Sequence, residues 1–230
     1  MATVLITGCN RGIGLEFVKQ YLARGDHLIA SCRNIEAAPD LAALAMEHKS
    51  LRVLELDVAN DASLQAFAGQ LQGEAVDIFI NNAGVYGPKQ TAFGEVDAAA
   101  WGQVMRINAI APLILSQLLM ANLELGKTKK ILFLSSKMGS IGDNQGGGSY
   151  VYRSSKTALN QVVKSLSIDL SERQFKVAAL HPGWVQTDMG GPNALIDVHT
   201  SVSGMMAVIE GLGSSGSGQF LNYDGSIIPW

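Results

Sequence analysis

Short apolar runs recur along the chain, separated by longer segments in which apolar residues return every three or four positions. Seven runs stand out: residues 3–8 (TVLITG), 27–32 (HLIASC), 51–56 (LRVLEL), 76–82 (VDIFINN), 130–136 (KILFLSS), 176–182 (KVAALHP) and 218–223 (GQFLNY). They are apolar throughout rather than alternating. A strand with one wet face alternates, whereas a strand covered on both faces does not, so these read as parallel strands inside a layered fold. The segments between them have helical length: residues 13–24, 35–48, 62–72, 99–125, 150–171 and 197–211. Strands alternating with helices predict an α/β fold, a Rossmann-like doubly wound sheet of about seven parallel strands with helices on both faces. Ligands of such sheets sit at the carboxyl ends of the strands, so functional residues are expected just after each run. No repeat or linker interrupts the pattern; the SSGSG stretch at 214–218 reads as a surface loop before the last strand. The whole chain, 1–230, is expected to form a single domain.

Composition narrows the picture. A length of 230 residues suits one α/β domain, and a net charge of −3 argues against a nucleic-acid partner. Two cysteines, Cys9 and Cys32, suggest a reducing compartment rather than a disulfide framework. The start lacks a basic leader, and the most apolar run, AIAPLIL at 109–115, is short of the ~20 residues of a membrane span. A cytoplasmic protein that engages no membrane and no metal is expected.

The first strand runs into ITGCNRGIGLEF, which opens the first helix. Gly8, Gly12 and Gly14 let the backbone and the helix N-terminus approach a pyrophosphate, whose charge meets free N–H groups there. Asn10, Arg11 and Ile13 lie in the same loop. A site for NAD places Asp or Glu at the end of the second strand, on the ribose 2′-hydroxyl. Here that strand ends ASCRN, with Arg33 and no acid. Arg33 and Arg11 suit a 2′-phosphate, which points to NADP(H). Asp57 and Val58 end the third strand, where a carboxylate suits an adenine amino group. Asn82, Ala83 and Gly84 end the fourth, with small residues that let a cofactor lie close.

The stretch GGGSYVYRSSK holds two tyrosines before a lysine. Helical residues four apart lie about 40° from each other, and residues six apart about 240°. Tyr152 therefore shares a face with Lys156, and Tyr150 does not. A phenol titrates near pH ~10, and a nearby ammonium is expected to draw that value down toward the range useful for proton transfer. Ser135 or Ser136, at the end of the fifth strand, places a hydroxyl at the same sheet edge, suited to holding a carbonyl oxygen. Pro112, inside a helical pattern, has no N–H for the Asn108 carbonyl, which is expected to be free to hold a water.

Tyr152-x-x-x-Lys156, Thr7-Gly8-x-x-x-Gly12-Ile13-Gly14 and Asn81-Asn82-Ala83-Gly84, in this order, resemble the short-chain dehydrogenase/reductases, over essentially the whole chain. GCNRGIG, YRSSK, HPGWVQTDMGG and FLNYDGSIIPW look like the branch of the C-factor and sniffer-type carbonyl reductases. The resemblance implies a catalytic set of Asn108, Ser136, Tyr152 and Lys156. Tyr152 would be the general acid, Ser136 would hold the carbonyl, Lys156 would bind the nicotinamide ribose, and Asn108 would anchor a relay water. Pro182, Gly183, Val185 and Thr187 would flank the nicotinamide. It also implies a small-molecule carbonyl or alcohol substrate and pairing into a homodimer or homotetramer. A developmental signalling protein and a catalytically silent cofactor sensor remain open alternatives on the same fold. One departure is local: Tyr152 follows Ser136 by 16 positions, a few more than the family pattern, and DNQGGGS is expected to take up the excess as a loop. Residues 182–218 must hold both a lid and a helix, so the pocket is expected to be open, with Tyr86, Met138, Trp184 and Met189 as candidate walls.

Overall fold

The computed structural model describes residues 1–89 and 92–230. Seven strands form one sheet, ordered β3-β2-β1-β4-β5-β6-β7 and parallel throughout. They are β1 (Thr3–Thr7), β2 (His27–Cys32), β3 (Leu51–Glu55), β4 (Ile78–Asn81), β5 (Lys130–Leu134), β6 (Lys176–His181) and β7 (Phe220–Asn222). The chain moves outward from β1 to β3, then crosses back to place β4 on the other side of β1. At this reversal the connections after β1 and β4 leave on opposite faces, opening a crevice at the carboxyl ends of those strands.

The non-alternating strands have a direct cause. Val4 and Ile6 pack against one helical layer, formed by α1 (Gly12–Ala23), α2 (Pro39–Glu47) and α8 (Val198–Gly211). Leu5, between them, packs against the other, formed by α3 (Asp61–Gly69), α5 (Ala111–Leu118), α6 (Met120–Leu125) and α7 (Tyr150–Asp169). Val4, Leu5 and Ile6 are all fully buried, and each such side chain contributes about 1.5–3 kcal/mol. Helix starts are signalled locally: Asn60 and Asp97 accept the N–H groups of Ser63 and Ala100, capping α3 and α4 (Ala98–Met105), and Pro39 occupies the first turn of α2.

One expected element is corrected. Residues 99–125 do not form one long helix. After α4 comes a π turn, Arg106–Ile110, in which the Ala111 N–H bonds the Arg106 carbonyl, and then α5 and α6 separated at Leu119. The break therefore begins before Pro112, which stands in the first turn of α5. The wide turn inserts one extra residue into the helical ladder and re-aims Ile107 and Asn108. Ala98–Leu118 as a whole is long and apolar enough to cross a membrane, with a mean hydropathy of 1.2. In this fold its pieces pack against α3 and α7.

Candidate active site

A cleft of about 650 Å³ lies at the carboxyl ends of β1, β2, β4 and β5. The candidate cofactor residues Gly8, Asn10, Arg11, Gly12, Ile13, Gly14, Arg33, Asp57, Val58, Asn82, Ala83, Gly84, Pro182 and Thr187 line it, with Tyr152 and Lys156. Gly183 and Val185 do not. A Cβ on Gly183 would lie 2.6 Å from Ile196 Cδ1, and Val185 is buried and bridged to Ile196, so both shape the turn beneath the cleft.

The glycine turn is held by Asn82. Its side-chain amide donates to the carbonyls of Thr7 (2.8 Å) and Gly8 (2.9 Å), and its N–H donates to Thr7 Oγ1 (3.1 Å). Gly8 has φ +72°, and a Cβ there would lie 2.9 Å from Ala83 Cα. A Cβ on Gly14 would lie 2.2 Å from the Gly8 carbonyl oxygen. These two glycines are required because the two strand ends and the helix meet without room for a side chain. Asn82 thus acts chiefly as a brace for the loop.

The residues present fit a dinucleotide. No side chain caps α1, so its first N–H groups are left for an anion, with the positive end of the helix behind them. Arg33 is exposed just beyond β2, flanked in sequence by Cys32 and Asn34 rather than by a carboxylate. Arg11 is engaged differently: its Nη1 donates to Asp188 Oδ2 at 2.7 Å, and both side chains are more than two-thirds exposed. This ion pair joins the glycine loop to the segment after β6. Asp57 Oδ1 accepts the Ala59 N–H, and the Asp57 N–H donates to Ser63 Oγ, which fixes the turn after β3.

At the other end of the cleft, α7 presents the face that carries Tyr152 and Lys156. Tyr152 and Lys156 are 8% and 5% exposed, while Tyr150 is 43% exposed. Tyr152 shares the buried face of α7 with Lys156, whereas Tyr150, expected to pack or to line the pocket mouth, is half exposed. The two serines separate as well. Ser135 Oγ donates to Asn160 Oδ1 at 2.6 Å, tying β5 to α7. Ser136 accepts the Met138 N–H at 3.2 Å and lies against the Tyr152 phenol.

The electrostatics differ from expectation. Burial pushes the Tyr152 phenol up to about 12, with the Ser136 hydroxyl pulling down and Tyr86 pushing up. Lys156 does not lower it here. Its Nζ donates to the Leu134 carbonyl at 2.9 Å, lies 5.8 Å from the Tyr152 ring centroid, and is itself brought down to about 8 by burial. A desolvated ammonium and a desolvated phenol each favour their neutral forms.

Asn108 is nearly fully buried, and its side chain is consumed by protein contacts. Oδ1 accepts the Val85 N–H (2.9 Å), and Nδ2 donates to the Val85 carbonyl (2.8 Å) and Ser155 Oγ (3.0 Å). Any role toward a water falls to its main-chain carbonyl, as the sequence led one to expect, although the π turn rather than Pro112 begins the distortion.

Sequence reasoning missed Ile107, Cys32, Gln186 and Asp188, which also line the cleft. Ile107 reaches it through the π turn, which no local pattern announced. His181, at the end of β6, was also passed over; burial lowers it to about 4, and its Nδ1 has no hydrogen-bond partner. Of the candidate wall residues, Tyr86 stacks on Tyr152, and Trp184 and Met189 are half exposed.

A doubly wound parallel sheet carrying a glycine turn at one end of its crevice and a buried tyrosine and lysine at the other defines a dinucleotide-fold oxidoreductase. The chain belongs to the short-chain dehydrogenase family, which it matches over residues 2–194. It is 44% identical to the C-signal protein of Myxococcus xanthus over 167 residues, 73% of this chain and all of that one. Its structure matches the carbonyl reductase Sniffer of D. melanogaster with a TM-score of 0.94 at 36% identity, covering both chains completely. An NADPH-bound carbonyl reductase from chicken fatty liver matches at 0.93, again at 36% identity, covering 100% of this chain and 99% of that one.

Proposed function

We propose that this protein is an NADP(H)-dependent reductase of small carbonyl compounds, with Tyr152 as general acid and base. The observation that carries the reading is the buried Tyr152 beside Ser136, on one face of α7 with Lys156, at the end of the cleft. NADPH in the cleft would supply hydride to the carbonyl carbon. The open N-terminus of α1 and Arg33 would hold its phosphates, and the NADPH-bound relative of similar fold supports that preference.

Ser136 Oγ–H donates to the carbonyl oxygen and steadies the charge that develops on it. The Tyr152 O–H then transfers its proton to that oxygen. A phenol held near 12 is fully protonated at neutral pH, which is the form reduction consumes. Lys156, near 8, is mostly ammonium at pH 7 and is the proton source behind Tyr152. A water on the Asn108 carbonyl would return the proton through Lys156.

A signalling reading draws on the likeness to the C-signal protein. The joint presence of Asn108, Ser136, Tyr152 and Lys156 favours the enzyme, because a silent sensor has no chemical need for all four. Exposed Trp101, Ile110 and Ile168, on and between α4, α5 and α7, support a homodimer or homotetramer, which light scattering at micromolar concentration would detect.

The test is NADPH oxidation with a panel of aldehydes and ketones. Tyr152→Phe should lose turnover while binding NADPH normally, and Tyr150→Phe should keep most activity. An inactive Tyr150→Phe beside an active Tyr152→Phe would reverse the assignment.

A further inference from the structure

Tyr86 stands two residues beyond the Asn82–Gly84 turn. Its ring stacks on that of Tyr152, with centroids 4.6 Å apart and planes 27° from parallel. The backbone beneath it is fixed at three places. Asn82 is tied to Thr7 and Gly8, Val85 has both its N–H and its carbonyl on the Asn108 side chain, and Gly87 approaches Val104 so closely that a Cβ would lie 2.7 Å from Val104 Cγ2. The far end of the ring is held too: the Tyr86 and Ser149 hydroxyls are 3.3 Å apart, just before α7 begins.

The same amide reaches the other ring. Asn108 Nδ2 donates to Ser155 Oγ, and Ser155 in turn donates to the Tyr152 carbonyl at 2.8 Å. One buried side chain therefore fixes the backbones that carry both tyrosines. The helix by itself sets only the Tyr152 Cα–Cβ direction, and a phenol has two further torsions. A flat neighbour held in register removes the swing of the ring, as stacked aromatic pairs do.

We propose that Tyr86 is a positioning residue, whose ring holds the plane of the Tyr152 phenol so that its O–H stays beside Ser136. The inference rests on the reading of Tyr152 as the proton donor. It differs from a role as pocket wall, because a wall sets substrate binding, whereas a misaligned acid slows the proton transfer itself.

The experiment compares Tyr86→Leu and Tyr86→Phe in steady-state reduction of an aldehyde that the wild-type protein accepts. Tyr86→Leu should lower kcat by about 3- to 10-fold, the range expected for one aromatic pair. KM for the aldehyde and for NADPH should stay within about twofold, and Tyr86→Phe, which keeps the ring, should restore kcat. If Tyr86→Leu does not fold, Tyr86→Met removes the ring with a side chain of similar length. Wild-type kcat in the ring-less variant, a raised KM with kcat intact, or a phenylalanine variant as slow as leucine would each overturn the proposal. Tyr152→Phe in the same assay separates the two readings. If it is inactive while Tyr86→Leu is normal, only the positioning role falls; if it is active, the role of Tyr152 falls first.

Discussion

Ser135 donates its hydroxyl to Asn160 across the β5–α7 interface, and this bond leaves the next residue, Ser136, facing Tyr152. Ser135→Ala should therefore act on stability. It strands the buried Asn160 Oδ1 at a cost of about 1–3 kcal/mol, seen as a melting point lowered by several degrees with kcat largely kept. Ser136→Ala should do the reverse, lowering kcat by about 10²- to 10³-fold with little change in melting. Thermal melts beside kcat for both variants check the division; the opposite pattern would exchange the two serines.

Asn108→Ala should destabilise the fold as well as slow turnover. It removes three hydrogen bonds and leaves the Val85 N–H and carbonyl without side-chain partners, a loss of about 2–5 kcal/mol. Urea unfolding measures this directly. A variant as stable as wild type would mean that the Asn108 side chain does not brace the site.

Arg33→Asp should lower NADPH affinity about ten- to hundredfold and improve NAD(H) binding, since it exchanges a cation for a 2′-hydroxyl acceptor. Arg11→Ala should cost less, because Asp188 already holds that guanidinium. Fluorescence titration of both variants with both cofactors ranks them. Equal losses would show that Arg11 leaves Asp188 to engage the cofactor.

His181 should impose an acid dependence on stability. Burial and Lys137 lower its pKa from 6.5 to about 4, against the pull of Asp143 and Asp224. The unfolded chain binds the proton first, so the imidazole penalises folding progressively as pH falls from about 6.5 to 4, by up to about 3 kcal/mol. Above about pH 6.5 both states are neutral and the effect vanishes. Urea unfolding of wild type and His181→Asn at pH 4.5 and 7 should show a steeper acid loss in the wild type. Parallel losses would place the acid sensitivity elsewhere.

Much of the fold was legible because its signals are local. Strands buried on both faces must be apolar at every position, so seven of them showed as unbroken runs, and their alternation with helices left few topologies. The Tyr152–Lys156 pairing followed from the helical period alone, whereas Tyr150, expected to pack or to line the pocket mouth, proves half exposed. The absence of an acid after β2 was equally visible, since it needs only the position of one strand end.

What the sequence left open depended on partners distant in the chain. Ser135 and Ser136 are the same residue type at adjacent positions, and only Asn160, on another element, tells them apart. Arg11 looks like a free cation until the segment after β6 brings Asp188 across the cleft. The helical period through residues 99–125 continues across the π turn, because one inserted residue shifts the apolar pattern too little to be read. The Tyr86–Tyr152 stack exists because the Asn108 side chain ties together two separate backbone segments and Gly87 lets one of them approach Val104. Periodicity records which face of an element is buried, whereas the identity of the neighbour across that face is set only when the layers pack.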